Sequence, residues 1–138
     1  MSDFNPMSID LDQMVLLLKQ RLTGWVNRSG LVVGQITWTD EAVSEWPKRL
    51  YVERSSVAVP WSFGIRCTGW GDVSLVLYRG GRADLALWSG RKDLDPLIDC
   101  PIIREPSDFG EQLDWIDRFV DERDRYAEEQ WHQYVLEK

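Results

Sequence analysis

The sequence predicts an α+β fold: an antiparallel β-sheet of four to six strands with N- and C-terminal helices packed on it. Three observations carry this expectation. Apolar residues recur every three or four positions at both ends of the chain, and they alternate with polar ones through the middle. A Gly-Gly pair between two apolar runs marks a tight hairpin. At 138 residues the chain can build one hydrophobic core but not two, so a single domain over 1–138 is expected. With 43% hydrophobic and 28% charged residues, its composition is that of an ordered globular domain.

The first helix is expected over about 10–28. Asp10 can cap it with Gln13 at capping-box spacing, and Leu11, Val15, Leu18, Leu22 and Trp25 form one apolar stripe that Gly30 ends. The sheet is expected over about 31–88. "LVVGQITW" (31–38) and "RLYVER" (49–54) read as strands separated by a polar, proline-bearing loop. In "VAVPWSFGIRC" (57–67), Trp61, Phe63, Ile65 and Cys67 share one face, and Pro60 confines the stretch to an edge or a bulge. "DVSLVLY" and "RADLALW" flank Gly80-Gly81, which suits a two-residue type I′ turn. That register pairs Tyr78 with Ala83, Val76 with Leu85 and Ser74 with Leu87. It leaves both faces largely apolar and assigns Val73, Leu75, Val76, Leu85 and Leu87 to the core, with Trp88 beside them.

A proline-punctuated loop over 89–106 leads to the second helix, expected over about 108–136. Asp108 and Glu111 stand at capping-box spacing, and Phe109, Leu113, Ile116 and Val120 form the stripe. A helix of that length would run about 45 Å. The whole domain should be roughly 37 Å across, so the last turns should overhang, bend back or meet another chain.

Charge is unevenly placed. Residues 105–138 hold eleven acids against four bases, which accounts for the whole net charge of −7 and leaves 1–104 neutral. This balance excludes the basic footprint of a nucleic-acid binder and suits a protein partner with a basic surface. The first ten residues carry two acids and no base, unlike a signal peptide, and the longest aliphatic run, "MVLLL", is far too short to span a membrane. A cytoplasmic protein of bacterial type is expected, with no membrane association. Cys67 and Cys100 are isolated and there is one histidine, His132, so no zinc site is expected, and both thiols read as core.

No catalytic constellation emerges, and neither a cofactor nor a metal is expected. Asp93, Asp95 and Asp99 lie close together but lack the glycine and bidentate glutamate of a calcium loop. Asp108-Phe109-Gly110 matches the kinase metal triplet without its companions, and "GWG" at 69–71 lacks the rest of a nucleotide fingerprint. His132 has no serine or cysteine arranged beside it as a nucleophile. Eight tryptophans are the chain's distinctive feature, because Trp, Tyr and Arg dominate interface hot spots. Trp25, Trp38 and Trp115 sit on apolar stripes and read as core. Trp46 precedes a proline in a polar loop, Trp70 lies between glycines and Trp131 follows the acidic run. These three are candidate partner contacts, together with Tyr78, Arg79 and Arg82 at the hairpin and Asp114, Asp117, Asp121 and Glu122 on the acidic helix.

"VSLVLYRGGRADLALW" followed by "IIREPSDFGEQLDWIDRF" resembles the TriTu-like immunity proteins of bacterial polymorphic toxin systems. The resemblance lies in Leu75, Leu77, Tyr78, Gly81, Ala83, Asp84 and Leu85, then in Pro106, Ser107, Asp108 and Leu113, and covers roughly residues 70–120. Tyr78 stands where the family usually has tryptophan, and Ala86 where an acid follows "ADL". The resemblance implies a cytosolic antidote that binds and blocks a cognate toxin delivered by neighbouring cells. In the namesake system that toxin is an ADP-ribosyltransferase acting on elongation factor Tu. The composition equally suits a non-enzymatic adaptor or chaperone-like module, with a monomer and a homodimer through the C-terminal helix both open.

Overall fold

The structure, a computed structural model, describes residues 8–28, 30–69 and 71–121. Helix α1 (Leu11–Val26) precedes a six-stranded antiparallel sheet, and helix α2 (Pro106–Asp121) follows it. The strands are β1 (Leu31–Val33), β2 (Thr37–Asp40), β3 (Pro60–Gly69), β4 (Asp72–Tyr78), β5 (Ala83–Trp88) and β6 (Leu97–Asp99). They run β1-β3-β4-β5-β6 across the sheet, and β2 pairs with the other half of the long β3. This is the α+β architecture that the patterning predicts.

Asp10 caps α1 as expected, its carboxylate accepting from the N–H groups of Asp12 (3.0 Å) and Gln13 (3.2 Å). Leu11, Met14, Val15, Leu18 and Trp25 are buried beneath it. The strand expected over 31–38 is broken into β1 and β2 after Gly34. There the backbone hugs β3: the Gly34 N–H donates to Arg66 O at 2.9 Å, and a Cβ would stand 2.5 Å from that oxygen. The strand expected at 49–54 reduces to one bridge between Tyr51 and Trp38, followed by a 3₁₀ turn at Arg54–Ser56. Pro60 opens β3 opposite Asp40, where the register shifts, as a proline in a sheet requires.

The β4–β5 hairpin departs from its expected register by one residue. A type I′ turn needs positive φ at both central positions, and here only Gly81 (φ 101°) has it. The loop is therefore three residues, 79–81. It closes with the Tyr78 N–H donating to Arg82 O and the Gly81 N–H to Tyr78 O, both at 2.9 Å. Leu77 pairs with Ala83, Leu75 with Leu85 and Val73 with Leu87, and all six are buried on one face. Ser74, Val76, Tyr78, Asp84, Ala86 and Trp88 fall on the other, half-buried face. The two-sided apolar hairpin is thus corrected to a one-sided one, with Val76 and Trp88 outside the core. A slip of one residue exchanges the faces of one strand relative to the other, and this register puts the leucines of both strands, with Val73 and Ala83, together on the helix side.

Residues 89–106, expected as loop, contain β6, with Leu97 buried against Leu87. Helix α2 begins at Pro106, whose fixed φ and missing N–H suit a first helical position. Asp108 lies inside the first turn and reaches back to accept from the N–H groups of Arg104 (2.8 Å) and Glu105 (3.1 Å). The expected continuation of the helix to 136 lies outside the described residues. Phe109 meets Phe63 edge-on at 6.0 Å, which joins α2 to the sheet. Cys67 is buried as expected and its thiol is pushed up to about 11 by burial. Cys100 is exposed instead, because it follows the short edge strand. No helix among the described residues is long and apolar enough to cross a membrane.

Candidate protein-binding surface

The expected contact residues separate into two regions. At the end of the sheet carrying the β4–β5 turn, four side chains stack in the order Lys48, Trp61, Tyr78, Arg82. The Lys48 ammonium lies 5.0 Å from the Trp61 ring, Trp61 meets Tyr78 edge-on at 5.3 Å, and the Arg82 guanidinium sits 4.7 Å from Tyr78. Arg79 joins the turn to the preceding loop through an ion pair with Glu41, and its N–H donates to Trp61 O at 2.8 Å. Tyr78, Arg79 and Arg82 therefore form a cationic and aromatic platform, with Arg82 more than half exposed and held to Asp84 at 3.4 Å.

Trp46 belongs to the loop that this platform braces. Asp40 organises the loop by accepting from the N–H groups of Ala58 (2.8 Å), Ala42 (2.9 Å) and Val59 (3.1 Å). Those hydrogen bonds hold its carboxyl below the usual carboxylate range. Lys48 Nζ ties the loop's ends by donating to Val43 O (2.7 Å) and Asp40 O (3.1 Å). On this fixed frame Trp46 is 76% exposed, and Leu50 and Val52 are exposed beyond it. Exposed apolar side chains on a loop held by several hydrogen bonds are a candidate partner surface, since such a loop has less to order on binding.

The acidic residues lie elsewhere and are largely engaged within the chain. Asp117 accepts from Trp25 Nε1 at 2.6 Å and pairs with Arg21, Asp114 pairs with Arg21 at 2.9 Å, and Asp121 pairs with Arg28. These contacts fasten α2 to α1. Trp70, Glu122 and Trp131 lie outside the described residues. Asp93 pairs with Arg91, and no group of three or more His, Cys, Asp or Glu among the described residues is placed to hold a metal ion.

A shallow groove of about 330 Å³ opens on the outer sheet face, floored by Ser74 and Ala86 between Arg66, Asp72, Trp88 and Pro96. Trp88 is locked there by donating to Arg91 O and Leu94 O, both at 3.1 Å. Sequence reasoning did not single out Trp61, Lys48, Leu50 or Val52. The contact of Trp61 with Tyr78 arises from the β3–β4 pairing, which sets Ser62 opposite Tyr78, while Leu50 and Val52 were assigned to a strand that does not form. No protein-family model, curated protein or solved structure matches this chain.

Proposed function

We propose that this protein is a cytoplasmic immunity protein that neutralises a cognate antibacterial toxin by direct binding and catalyses no reaction itself. The observation that carries the reading is the exposed Trp46 on a braced loop beside the Tyr78, Arg79 and Arg82 platform. Aromatic and arginine anchors on a rigid frame give slow dissociation, and an antidote needs that because its target acts catalytically. The resemblance in residues 70–120 supports the same role, and it brings an ADP-ribosyltransferase as the toxin class. The acidic 105–138 segment adds charge that speeds encounter with a basic partner.

Co-expression with the candidate toxin encoded by the adjacent gene tests the proposal. Survival of the host and a co-eluting complex on size exclusion are expected. Unchanged killing with no complex would overturn it.

A further inference from the structure

The sheet ends at β6, and no strand among the described residues pairs with its far edge. Beyond β6 the chain stays alongside β5 in the same register. The Ala83 N–H donates to Pro101 O at 3.0 Å, Arg82 faces Ile102, and the Ile103 N–H donates to Gly81 O at 2.7 Å. Residues 97–103 therefore form one extended edge. Successive residues of a strand turn their backbone groups to opposite sides. Residues 97, 99, 101 and 103 turn theirs to β5, so Ile98, Cys100 and Ile102 turn theirs outward.

Sheet edges are ordinarily guarded by lysine, proline, bulges or charges. No lysine stands in 97–103, and the other guards are turned away from the free side. Pro101 lacks its N–H on the side of β5, where its carbonyl is used. Asp99 shares the helix-facing side of the strand with the buried Leu97 and Ile103, and its carboxylate occupies one outward donor, the Cys100 N–H, at 3.0 Å. The edge keeps the outward N–H and C=O groups of Ile98 and Ile102, whose side chains are 70% and 51% exposed. Ile98 lies opposite Ala86, on the sheet face away from the helices.

The two isoleucines stand at equal distances either side of Cys100, which makes this edge its own complement. We propose that β6 pairs antiparallel with β6 of a second copy of this chain, about a two-fold axis at Cys100. Each Ile98 then lies opposite Ile102 of the other copy. Both pairs exchange N–H to C=O hydrogen bonds, and neither needs Pro101 or the occupied Cys100 N–H. Directly opposed β-branched side chains stabilise such a pairing, and the two sheets become one. The flanks agree in charge. Arg104 comes opposite Pro96 and beside the exposed Asp95 of the other copy, while Glu105 is held by its own Ser107 hydroxyl at 2.9 Å. The inference does not rest on the toxin-binding reading.

So short an edge buries less than the roughly 1,200 Å² of a stable interface, so a dissociation constant on the order of 100 µM is expected. Sedimentation equilibrium of the reduced full chain from about 10 µM to about 1 mM tests this, and the average mass should climb from monomer towards dimer. Ile98→Lys should weaken association at least about tenfold and melt with wild type, since Ile98 is exposed. Bismaleimidoethane should join Cys100 to Cys100, whose Cα atoms stand about 5.5 Å apart in such a pair. Cys67 is buried and should not react, and the link should vanish in Cys100→Ser and fall in Ile98→Lys. A chain that stays monomeric throughout leaves this edge to a strand of another protein and overturns the proposal. A dimer that Ile98→Lys leaves intact, or that gives no Cys100 link, also overturns it, because its contact lies elsewhere.

Discussion

Asp40 shows how one side chain sets the geometry of a surface. Its carboxylate gathers the N–H groups of Ala58, Ala42 and Val59, so the loop bearing Trp46 is anchored at both ends. The carboxyls of Asp40 and Asp12 both titrate below their ordinary range, the first through the Ala58 and Ala42 N–H groups and the second through Arg54. Each binds its proton less readily in the folded chain than in the unfolded one. Their stabilisation is therefore complete above the unfolded value of about 4 and is lost as pH falls through the lower folded values. Thermal melts between about pH 2 and pH 7 should show stability dropping below about pH 4. Asp40→Asn should lower the melting temperature at neutral pH and make the acid limb shallower, whereas a curve parallel to wild type would contradict this account.

Two local devices decide how the elements meet. Gly81 alone holds the positive φ of the β4–β5 loop, and nothing lies within 4 Å of a Cβ built at Gly80. Gly81→Ala should cost about 1 kcal/mol or more in chemical denaturation, and Gly80→Ala should stay within about 0.5 kcal/mol of wild type. A similar cost for both would mean that the loop is not the three-residue form. Between the helices, Asp117 satisfies Trp25 Nε1 and Arg21 at once, and Trp25 is buried. Asp117→Ala should destabilise by about 1–3 kcal/mol, since it leaves a buried donor without an acceptor. The more exposed Asp114 should cost at most about 1 kcal/mol in the same urea titration.

The molecule as a whole divides its labour by face. Both helices cover one side of the sheet, while the 41–59 excursion leaves Trp46, Leu50 and Val52 exposed and the hairpin end leaves Trp61 and Tyr78 half-buried. Trp46 contributes nothing to the core at 76% exposure, so Trp46→Ala should melt with wild type. Under the proposed toxin-binding function it should weaken the complex about 30-fold, the loss expected for a hot-spot tryptophan, when measured by calorimetry or interferometry. A large drop in melting temperature, or full affinity for the partner, would remove Trp46 from the surface.

Periodicity and end signals made much of this fold legible: the cap at Asp10, the stripes of both helices, the alternation of β3 and the approximate place of the hairpin. Such features depend on residues within a few positions of each other, and local spacing records them. Trp46 was legible only as a candidate for exposure, because it precedes a proline in a mostly polar loop and lies on no apolar stripe. The hairpin register, the break at Gly34, the pairing of Trp61 with Tyr78 and the engagement of Asp114, Asp117 and Asp121 by α1 belong to the folded chain alone. Each joins residues far apart in sequence, or rests on a single backbone angle whose alternatives differ by about 1 kcal/mol locally. Burial of Val73, Leu75, Leu77, Ala83, Leu85 and Leu87 on one face outweighs that local difference, and it is decided only when sheet and helices come together.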